Sequence, residues 1–277
     1  MDMRFSTNRQ KIAQLNQTTN MRERWNCHTC AIIGNSGVLI NSKCGHLIDS
    51  SDLVMRMNLA PFGGEFASDV GSKVSLMTLN TAQYRHLTHC MDNYGNITLD
   101  GLPRLCSRLL KGLSRMNGSV LWYFGSMAHN NRLKTALAML RDFYNLHFGF
   151  AYSPAEIKSE IQSEVLKLSF PSSGVSVYAA ATHFCSRIQL FGFFPFYKDP
   201  TNRTLFRHYY EHAKINYTTN KHEMPDEFKI FLRLDEKGAL RIVNDCAGRW
   251  NNNFLRERLK HKEHLKGDEL DDLNDRF

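Results

Sequence analysis

A short polar turn bracketed by glycines follows the first strongly apolar run of the chain. Residues 31–33 are apolar, and Gly34, Asn35, Ser36 and Gly37 come directly after them. If the apolar run is a buried strand, the turn brings backbone N–H groups and the Asn35 amide to one point at its end. That group of donors suits a nucleotide, although the same residues are also typical of a tight strand-to-helix turn.

A second polar segment comes before an apolar helix. Ser172, Ser173 and Gly174 precede residues 175–184, which the pattern predicts to be a buried helix. The first N–H groups of a helix have no acceptor inside it and the helix dipole is positive there, so this segment can face an anion. Ser172 and Ser173 can also cap the helix, and the two roles are compatible.

The cysteines and acidic residues do not have the spacing of a metal site. Cys27 and Cys30 form one C-x-x-C pair, and no second pair or His pair is placed to complete a tetrahedron. No Asp-x-Asp follows a predicted strand, and Asp271 and Asp272 lie in a charged tail. The sequence therefore predicts no metal.

Composition and charge favour a single domain with anionic ligands. The 277 residues are 42% hydrophobic, which is enough for one sizeable core. The formal net charge of +8 produces a field that attracts anions. No block of Lys and Arg dominates and no nucleic-acid-binding module is recognisable, so we predict no nucleic-acid partner.

Strand and helix patterns alternate from Cys30 onward, which favours an α/β fold around a mainly parallel sheet. The predicted strands are 31–33, 53–57, 74–79, 120–124, 188–193 and 240–243, and the predicted helices are 132–143, 153–166, 175–184 and 225–237. We predict a flexible polar stem over 1–26, a catalytic domain over 27–246 and a charged extension over 247–277.

Motifs spread over most of the chain carry a resemblance to a known family. In order and spacing they resemble the large, small, third and very small motifs of the animal sialyltransferases, over residues 30–246. The Asn-Leu-Ala-Pro, Asp-Val-Gly-x-Lys and His-x-Met-Pro-x-Glu-Phe segments most resemble the α2,8-sialyltransferases. The segments are CAIIGNSG (30–37), CG (44–45), VMRMNLAP (54–61), FASDVGSK (66–73), PSSG (171–174), FGFFPF (191–196), HYYE (208–211) and HEMPDEF (222–228).

The resemblance implies a Rossmann-like glycosyltransferase fold whose central sheet is flanked by helices. It implies inverting transfer of sialic acid from CMP-sialic acid to a sialylated glycan, with formation of α2,8 linkages. The transition state of such a transfer resembles an oxocarbenium ion. It needs a nucleotide cradle, stabilisation of the leaving phosphate and a base for the attacking hydroxyl. CMP carries one phosphate, so no metal or other cofactor is expected.

Motif context distinguishes two of the 12 histidines. By resemblance, His222 is the general base, and an ordinary pKa of about 6.5 would leave much of it neutral in a mildly acidic lumen. By resemblance, His208 hydrogen-bonds the departing phosphate, where a protonated imidazole would stabilise negative charge. Glu227 would orient His222 or cap a helix.

The resemblance also assigns residues to the donor site. At the position of Phe194 the α2,8 members usually carry Trp, and Phe keeps an aromatic face but lacks the indole N–H. The donor-site residues are Asn35, Ser36, Asn58, Ser172, Ser173, Gly174, Gly192 and Phe194.

The cysteines and the glycosylation sequons indicate the secretory pathway. The resemblance implies disulfides Cys30–Cys185 and Cys44–Cys246. An odd number of cysteines then remains, so at least one thiol is free or forms an intermolecular bridge. The remaining cysteines are Cys27, Cys90 and Cys106, and the five Asn-x-Ser/Thr sequons are at Asn16, Asn96, Asn117, Asn202 and Asn216.

Members of the family are usually Golgi enzymes that face the lumen and are held by an N-terminal membrane anchor. A membrane-spanning helix needs roughly 18 or more apolar residues, and no such run occurs here. We therefore expect the anchor to be absent from this chain, which would follow from a truncated chain, an incomplete gene model or a soluble form.

Alternatives for function and acceptor remain open. A sialyltransferase acting on galactose or N-acetylgalactosamine would keep the fold, and a catalytically silent homologue would bind glycans without transfer. The acceptor is a sialylated glycoprotein or a glycolipid such as a ganglioside, and a homodimer also stays open. Residues 119–170 contain five Lys or Arg against four acids, which favours short products over a polymer.

Overall fold

The structure is a computed structural model that describes residues 27–94, 97, 99–123, 131–152, 171–215 and 224–250. The predicted stem, the predicted helix at 153–166 and residues 251–277 of the charged extension lie outside this part. The strands are β1 (Cys27–Ile33), β2 (Leu53–Arg56), β3 (Leu76–Leu79), β4 (Val120–Tyr123), β5 (Gly149–Tyr152), β6 (Cys185–Phe191), β7 (Phe206–His208), β8 (Glu211–Lys214) and β9 (Arg241–Val243). The α-helices are α1 (Gly45–Asp49), α2 (Ala67–Val70), α3 (Thr81–Tyr94), α4 (Arg104–Ser114), α5 (Asn131–Tyr144), α6 (Ser173–Ala181) and α7 (Met224–Glu236).

The sheet confirms the predicted α/β class. Seven strands are ordered β5-β4-β3-β2-β1-β6-β9, and helices flank this sheet. The pairs β1–β6, β6–β9, β3–β4 and β4–β5 are all parallel. Every residue of β2, β3 and β4 is buried, as expected for parallel strands that are covered on both faces.

The described residues group into two compact units. The larger unit contains Cys27–Met55, Ala60–Lys73 and the described part of Leu168–Phe277. The smaller unit contains Arg56–Leu59 and the described part of Val74–Lys167. The domain boundaries at residues 27 and 246 remain predictions.

In the larger unit, β6 lies between β1 and β9. Ile33 is in register with Phe191, and Phe191 is in register with Val243. The carboxyl ends of these three parallel strands therefore lie side by side, which is where ligands bind in open α/β sheets. The short antiparallel pair β7–β8 belongs to the same unit.

In the smaller unit, helix α3 contacts β3, and its Tyr84 stacks on Tyr123 of β4. Helix α3 contacts both α4 and α5, and the Cys90–Cys106 disulfide joins α3 to α4. Leu87 and Met91 of α3 and Leu133 and Leu140 of α5 are fully buried.

All six predicted strands are present, but several ends differ. Strand β6 begins earlier than expected, at Cys185, and ends at Phe191 because Gly192 adopts a φ of 70°. Helix α6 begins earlier, because Ser172 caps it by accepting a hydrogen bond from the Val175 N–H. No helix among the described residues is long and apolar enough to cross a membrane.

Candidate active site

Two glycines hold together the loops that follow β1 and β6. The Gly34 N–H donates to the Phe191 carbonyl at 2.6 Å, which extends the strand pairing by one residue. A Cβ at Gly34 would lie 2.5 Å from the Gly192 carbonyl oxygen. Glycine is therefore required at position 34 for the two backbones to approach this closely.

Ser36 links the same two loops through its side chain. Its buried hydroxyl donates to the Phe194 carbonyl at 2.8 Å and accepts from the Val38 N–H at 3.3 Å, which caps the 3-10 helix Gly37–Leu39. This hydroxyl is thus engaged inside the protein. Asn35 is half-buried, and its backbone carbonyl accepts from the Tyr209 N–H at 2.9 Å.

The third motif, HYYE (208–211), and the strand β7 that leads into it pack directly on the turn at residues 34–37 of the large motif. A Cβ at Gly37 would overlap the backbone of Phe206, the first residue of β7. Tyr209, which follows β7, bonds to Asn35 through its N–H and to Pro61 through its hydroxyl. The two segments are about 170 residues apart in sequence and are in contact in the larger unit.

The turn at residues 171–174, which belongs to the small motif, is held in place by α7. The Ser172 N–H donates to the Glu227 carboxylate at 2.7 Å, and the Glu227 side chain is buried, with 3% exposed. A Cβ at Gly174 would lie 2.5 Å from the Phe193 ring, so glycine lets α6 pack against the loop after β6. Ser173 and Gly174 occupy the first turn of α6, where N–H groups have no acceptor within the helix.

His208 ends β7 in a partly buried, charged environment. Its Nδ1 lies 2.6 Å from Oε1 of Glu211, an ion-pair distance at which the ring N–H is not aligned for a hydrogen bond. Burial lowers the pKa of His208, and this outweighs the Glu211 carboxylate, which raises it; Arg207 lowers it further. The Tyr210 ring stacks on His208 at 5.1 Å, and its own burial raises the pKa of Tyr210 to about 12.

Phe194 packs in an aromatic cluster. Only 4% of the residue is exposed, and its ring contacts Phe196, Phe228 and Trp250 at centroid distances of 5.1, 5.9 and 5.7 Å. The ring therefore fixes the loop after β6 against α7, and its backbone carbonyl receives the Ser36 bond. The assignment of Phe194 to the donor site remains a prediction.

Asn58 lies in the smaller unit, in a turn after β2. Asn58 and Leu59 both have positive φ, 56° and 54°, a strained conformation for residues other than glycine. The Asn58 N–H donates to the Thr78 hydroxyl at 3.0 Å, and this hydroxyl donates back to Asn58 Oδ1 at 3.2 Å. These two bonds hold the turn in place.

The structure thus brings together most of the predicted donor residues of the larger unit. The large, small and third motifs meet around the loops that follow β1 and β6, and Glu227 contributes from the very small motif. His222 lies outside the described residues. Sequence reasoning missed the Glu227–Ser172 bond, because only the fold shows that a carboxylate in one motif reaches a backbone N–H in another.

All seven cysteines are among the described residues. The structure has the disulfides Cys30–Cys185 and Cys44–Cys246, and also Cys90–Cys106. Cys27 is free and half-buried. Loops as long as the first two are worth about 5 kcal/mol each in the chain-entropy model, and the third about 3 kcal/mol.

Two of the five sequons lie in described segments. Asn117 and Asn202 are both exposed, in turns. The Asn117 side chain accepts from the His147 N–H at 2.7 Å. Asn16, Asn96 and Asn216 lie outside the described residues.

Comparison with known proteins identifies the family. The family model described as glycosyltransferase family 29 (sialyltransferase) matches residues 2–239. The chain belongs to this family. A curated rat protein, alpha-2,8-sialyltransferase 8E of Rattus norvegicus, is 30% identical over 218 residues, which are 77% of this chain and 54% of the relative. The chain thus spans about half the length of that relative.

Solved structures share the fold. A mammalian sialyltransferase matches with a TM-score of 0.51 at 19% identity, over 79% of this chain and 70% of its own. A mammalian sialyltransferase in complex with Gal-beta-1-3GalNAc-ortho-nitrophenol matches with a TM-score of 0.50 at 20% identity and the same coverage. At these identities the likeness concerns the fold alone.

Proposed function

We propose that this chain is an α2,8-sialyltransferase that acts in the Golgi lumen. It transfers sialic acid from CMP-sialic acid to an already sialylated glycoprotein or glycolipid. Membership of family 29 supports the donor class, and the rat relative supports the linkage. The observation that carries the proposal is the packing of the motif segments around the carboxyl ends of β1 and β6, described above.

The proposed donor site divides its residues by role. The N–H groups of Ser173 and Gly174 would bind the phosphate, because they open α6, where the helix dipole is positive. Asn35 would contact the nucleotide through its side chain. Ser36, Gly192 and Phe194 would act mainly by fixing the loops, since their polar or aromatic groups are engaged in the protein.

The proposed reaction is a single inverting displacement. His222 takes the proton of the acceptor hydroxyl as its oxygen bonds to the anomeric carbon of sialic acid. The bond from that carbon to the phosphate oxygen breaks, and CMP departs with the negative charge. His208 donates a hydrogen bond to the phosphate, which stabilises this charge in the transition state. The proposed chemistry uses no metal, because the leaving group is a monophosphate.

The replacement His222→Ala tests the proposed base. We expect transfer to fall by about 10²-fold or more, while CMP affinity and the unfolding midpoint stay near those of the original protein. The measurement is turnover with a sialylated acceptor, together with calorimetric titration of CMP. His46→Ala, at an exposed site on α1, is the matched control. A variant that kept more than about a tenth of the rate would remove His222 from this role.

A panel of acceptors separates the proposal from its alternatives. The enzyme should use sialylated glycans and ignore galactose- or N-acetylgalactosamine-terminated ones that lack sialic acid. Products should be cleaved by an α2,8-specific sialidase, and activity should persist in EDTA. Transfer to unsialylated acceptors would favour the other linkage class, and binding without turnover would favour the silent homologue.

A further inference from the structure

Helices α3 and α4 of the smaller unit carry a cluster that the proposed transfer does not use. His86 and Cys90 are four residues apart on α3, so they lie on one face, and Cys106 lies on α4. A ring nitrogen of His86 and the sulfurs of Cys90 and Cys106 all lie within 4.8 Å of one another. The two sulfurs form a disulfide with a Cα–Cα distance of 5.5 Å.

The imidazole of His86 faces this disulfide from a partly buried position. Its Nε2 atom is buried and has no hydrogen-bond partner in the described part of the chain. Buried polar side-chain atoms nearly always have a partner, so this one requires an explanation. The two cysteines are themselves buried, with 0% and 2% exposed.

We propose that His86, Cys90 and Cys106 bind one zinc ion when the Cys90–Cys106 disulfide is reduced. One imidazole and two thiolates, with a water molecule as fourth ligand, form a common zinc donor set. Zinc–sulfur bonds of about 2.3 Å and zinc–nitrogen bonds of about 2.0 Å place tetrahedral ligand atoms roughly 3.5–4 Å apart. The three ligand atoms lie within 4.8 Å of one another, so side-chain rotation that separates the two sulfurs can bring all three to such distances.

A dithiol acts as the reductant when a zinc ion replaces the disulfide. The disulfide takes up two electrons and two protons, giving two thiols, and the dithiol becomes a disulfide. Zinc binding then displaces both thiol protons, while neutral His86 offers the lone pair of a ring nitrogen. The disulfide and the zinc ion would each join α3 to α4, so the connection between the helices would persist in both oxidising and reducing surroundings.

The test uses the full chain, reduced with dithiothreitol and desalted under anaerobic conditions. Titration with Co²⁺, a spectroscopic substitute for zinc, should give a thiolate-to-cobalt charge-transfer band that saturates at one ion per chain and that Zn²⁺ abolishes. Zn²⁺ should also protect Cys90 and Cys106 from alkylation, as read by peptide mass mapping. This second readout needs no variant, and a lack of protection would overturn the proposal.

Three variants locate the site. His86→Ala should weaken Co²⁺ binding by at least about tenfold. Loss of a residue that only hydrogen-bonds to a metal ligand already lowers metal affinity by that much. The double variant Cys90→Ser/Cys106→Ser should lose the saturating charge-transfer band. Any Co²⁺ signal that remains in this variant comes from the other cysteines. His89→Ala, on an exposed part of the same helix, should bind as the original protein does. Equal binding by the His86→Ala variant and the original chain would refute the site. Neither result bears on sialyl transfer.

Discussion

At the residue scale, His208 shows how burial changes an expected role. A protonated imidazole would bind the phosphate best, but burial lowers the pKa of His208 in the free protein. A phosphate that arrives beside the ring favours the charged form and raises this pKa again. The proposed nucleotide site therefore predicts that His208 gains its proton together with the ligand.

We predict that CMP binding takes up protons at mildly acidic to neutral pH, between the pKa of His208 in the free protein and its value in the complex. Calorimetric titrations of CMP in buffers of different ionisation enthalpy measure this uptake. His208→Ala should abolish the uptake and also weaken CMP binding. Identical uptake and affinity in the variant would show that His208 does not contact the phosphate.

The same shift has a consequence for stability. Between the lowered pKa of folded His208 and the ordinary value of about 6.5, the unfolded chain binds more protons than the folded one. Acidification through this range therefore costs stability. His208 contributes to acid sensitivity in the free protein, and bound CMP should reduce that contribution.

Glu227 also belongs to this scale, because its buried carboxylate holds the Ser172 N–H at 2.7 Å. Glu227→Ala leaves a buried donor unpaired and should cost about 1–3 kcal/mol in unfolding free energy. It should also weaken CMP binding, because the turn before α6 loses its anchor. Glu227→Gln keeps an acceptor oxygen and should retain most of the affinity.

Urea unfolding and CMP titration check these two variants, with Glu236→Ala at the exposed end of the same helix as control. A loss of turnover with unchanged CMP affinity in Glu227→Ala would point instead to the orienting role toward His222.

At the scale of elements, Asp69 of α2 fixes the turn that precedes Cys44. Its carboxylate accepts from the Asn41 N–H at 2.7 Å and from the Lys43 N–H at 3.1 Å. Both residues have positive φ, 61° and 58°, which is unfavourable without compensation. The turn they form precedes Cys44, which is joined to Cys246. Asp69 thus connects α2 to the turn that positions this disulfide.

We predict that Asp69→Ala lowers the free energy of unfolding by about 2–3 kcal/mol, because two backbone donors lose a charged acceptor. Asp69→Asn keeps one acceptor and should cost less. Urea unfolding of the oxidised protein measures both, with the exposed Glu65→Ala as control. If the Asp69→Ala protein is as stable as this control, the turn does not depend on the hydrogen bonds to Asp69.

The elements that sequence reasoning found and missed have a physical explanation. Strands β2, β3 and β4 are buried on both faces, so their apolar runs are visible in the sequence. The pair β7–β8 has mostly exposed or half-buried residues, and β5 has only four residues, so neither gives such a pattern. Helix α3 is rich in polar residues, and its buried side is specified by contacts with α4 and α5.

At the scale of the whole molecule, motif spacing predicted the fold and family more fully than the site. Glycines 34, 37 and 174 stand in the quoted motifs. The sequence does not say that they allow close approach of the loops after β1 and β6, of the turn and β7, and of α6 and Phe193. These are contacts between segments far apart in the chain. Likewise, the disulfide Cys90–Cys106 could not be deduced from an odd remainder of three cysteines.

Product length depends on charge over the whole surface. A growing α2,8-linked polymer carries one negative charge per sugar, and holding it between additions needs a sustained basic track. Isolated surface charges are screened within about 8 Å at physiological salt, so scattered cations do not form one. Residues 119–170 contain almost as many acids as bases.

Ion pairs in the described part of this stretch reduce its positive field further. Arg132 lies 2.7 Å from the Asp92 carboxylate, and Arg141 lies 2.7 Å from Asp142. Both guanidinium groups are thus already paired within the protein, and a polyanion would have to compete with a neighbouring carboxylate for each.

We therefore predict that the product carries one or a few α2,8-linked sialic acids. Prolonged incubation with excess CMP-sialic acid, followed by anion-exchange sizing of the released glycans, measures this. The double variant Asp92→Asn/Asp142→Asn frees both arginines and should lengthen the products modestly, because the stretch then gains net positive charge. The control is Asp226→Asn, at an exposed site on α7, which also removes one negative charge but frees no arginine of this stretch. It should leave the distribution of product lengths unchanged. Chains of tens of residues from the original protein would show that basic residues elsewhere supply the track.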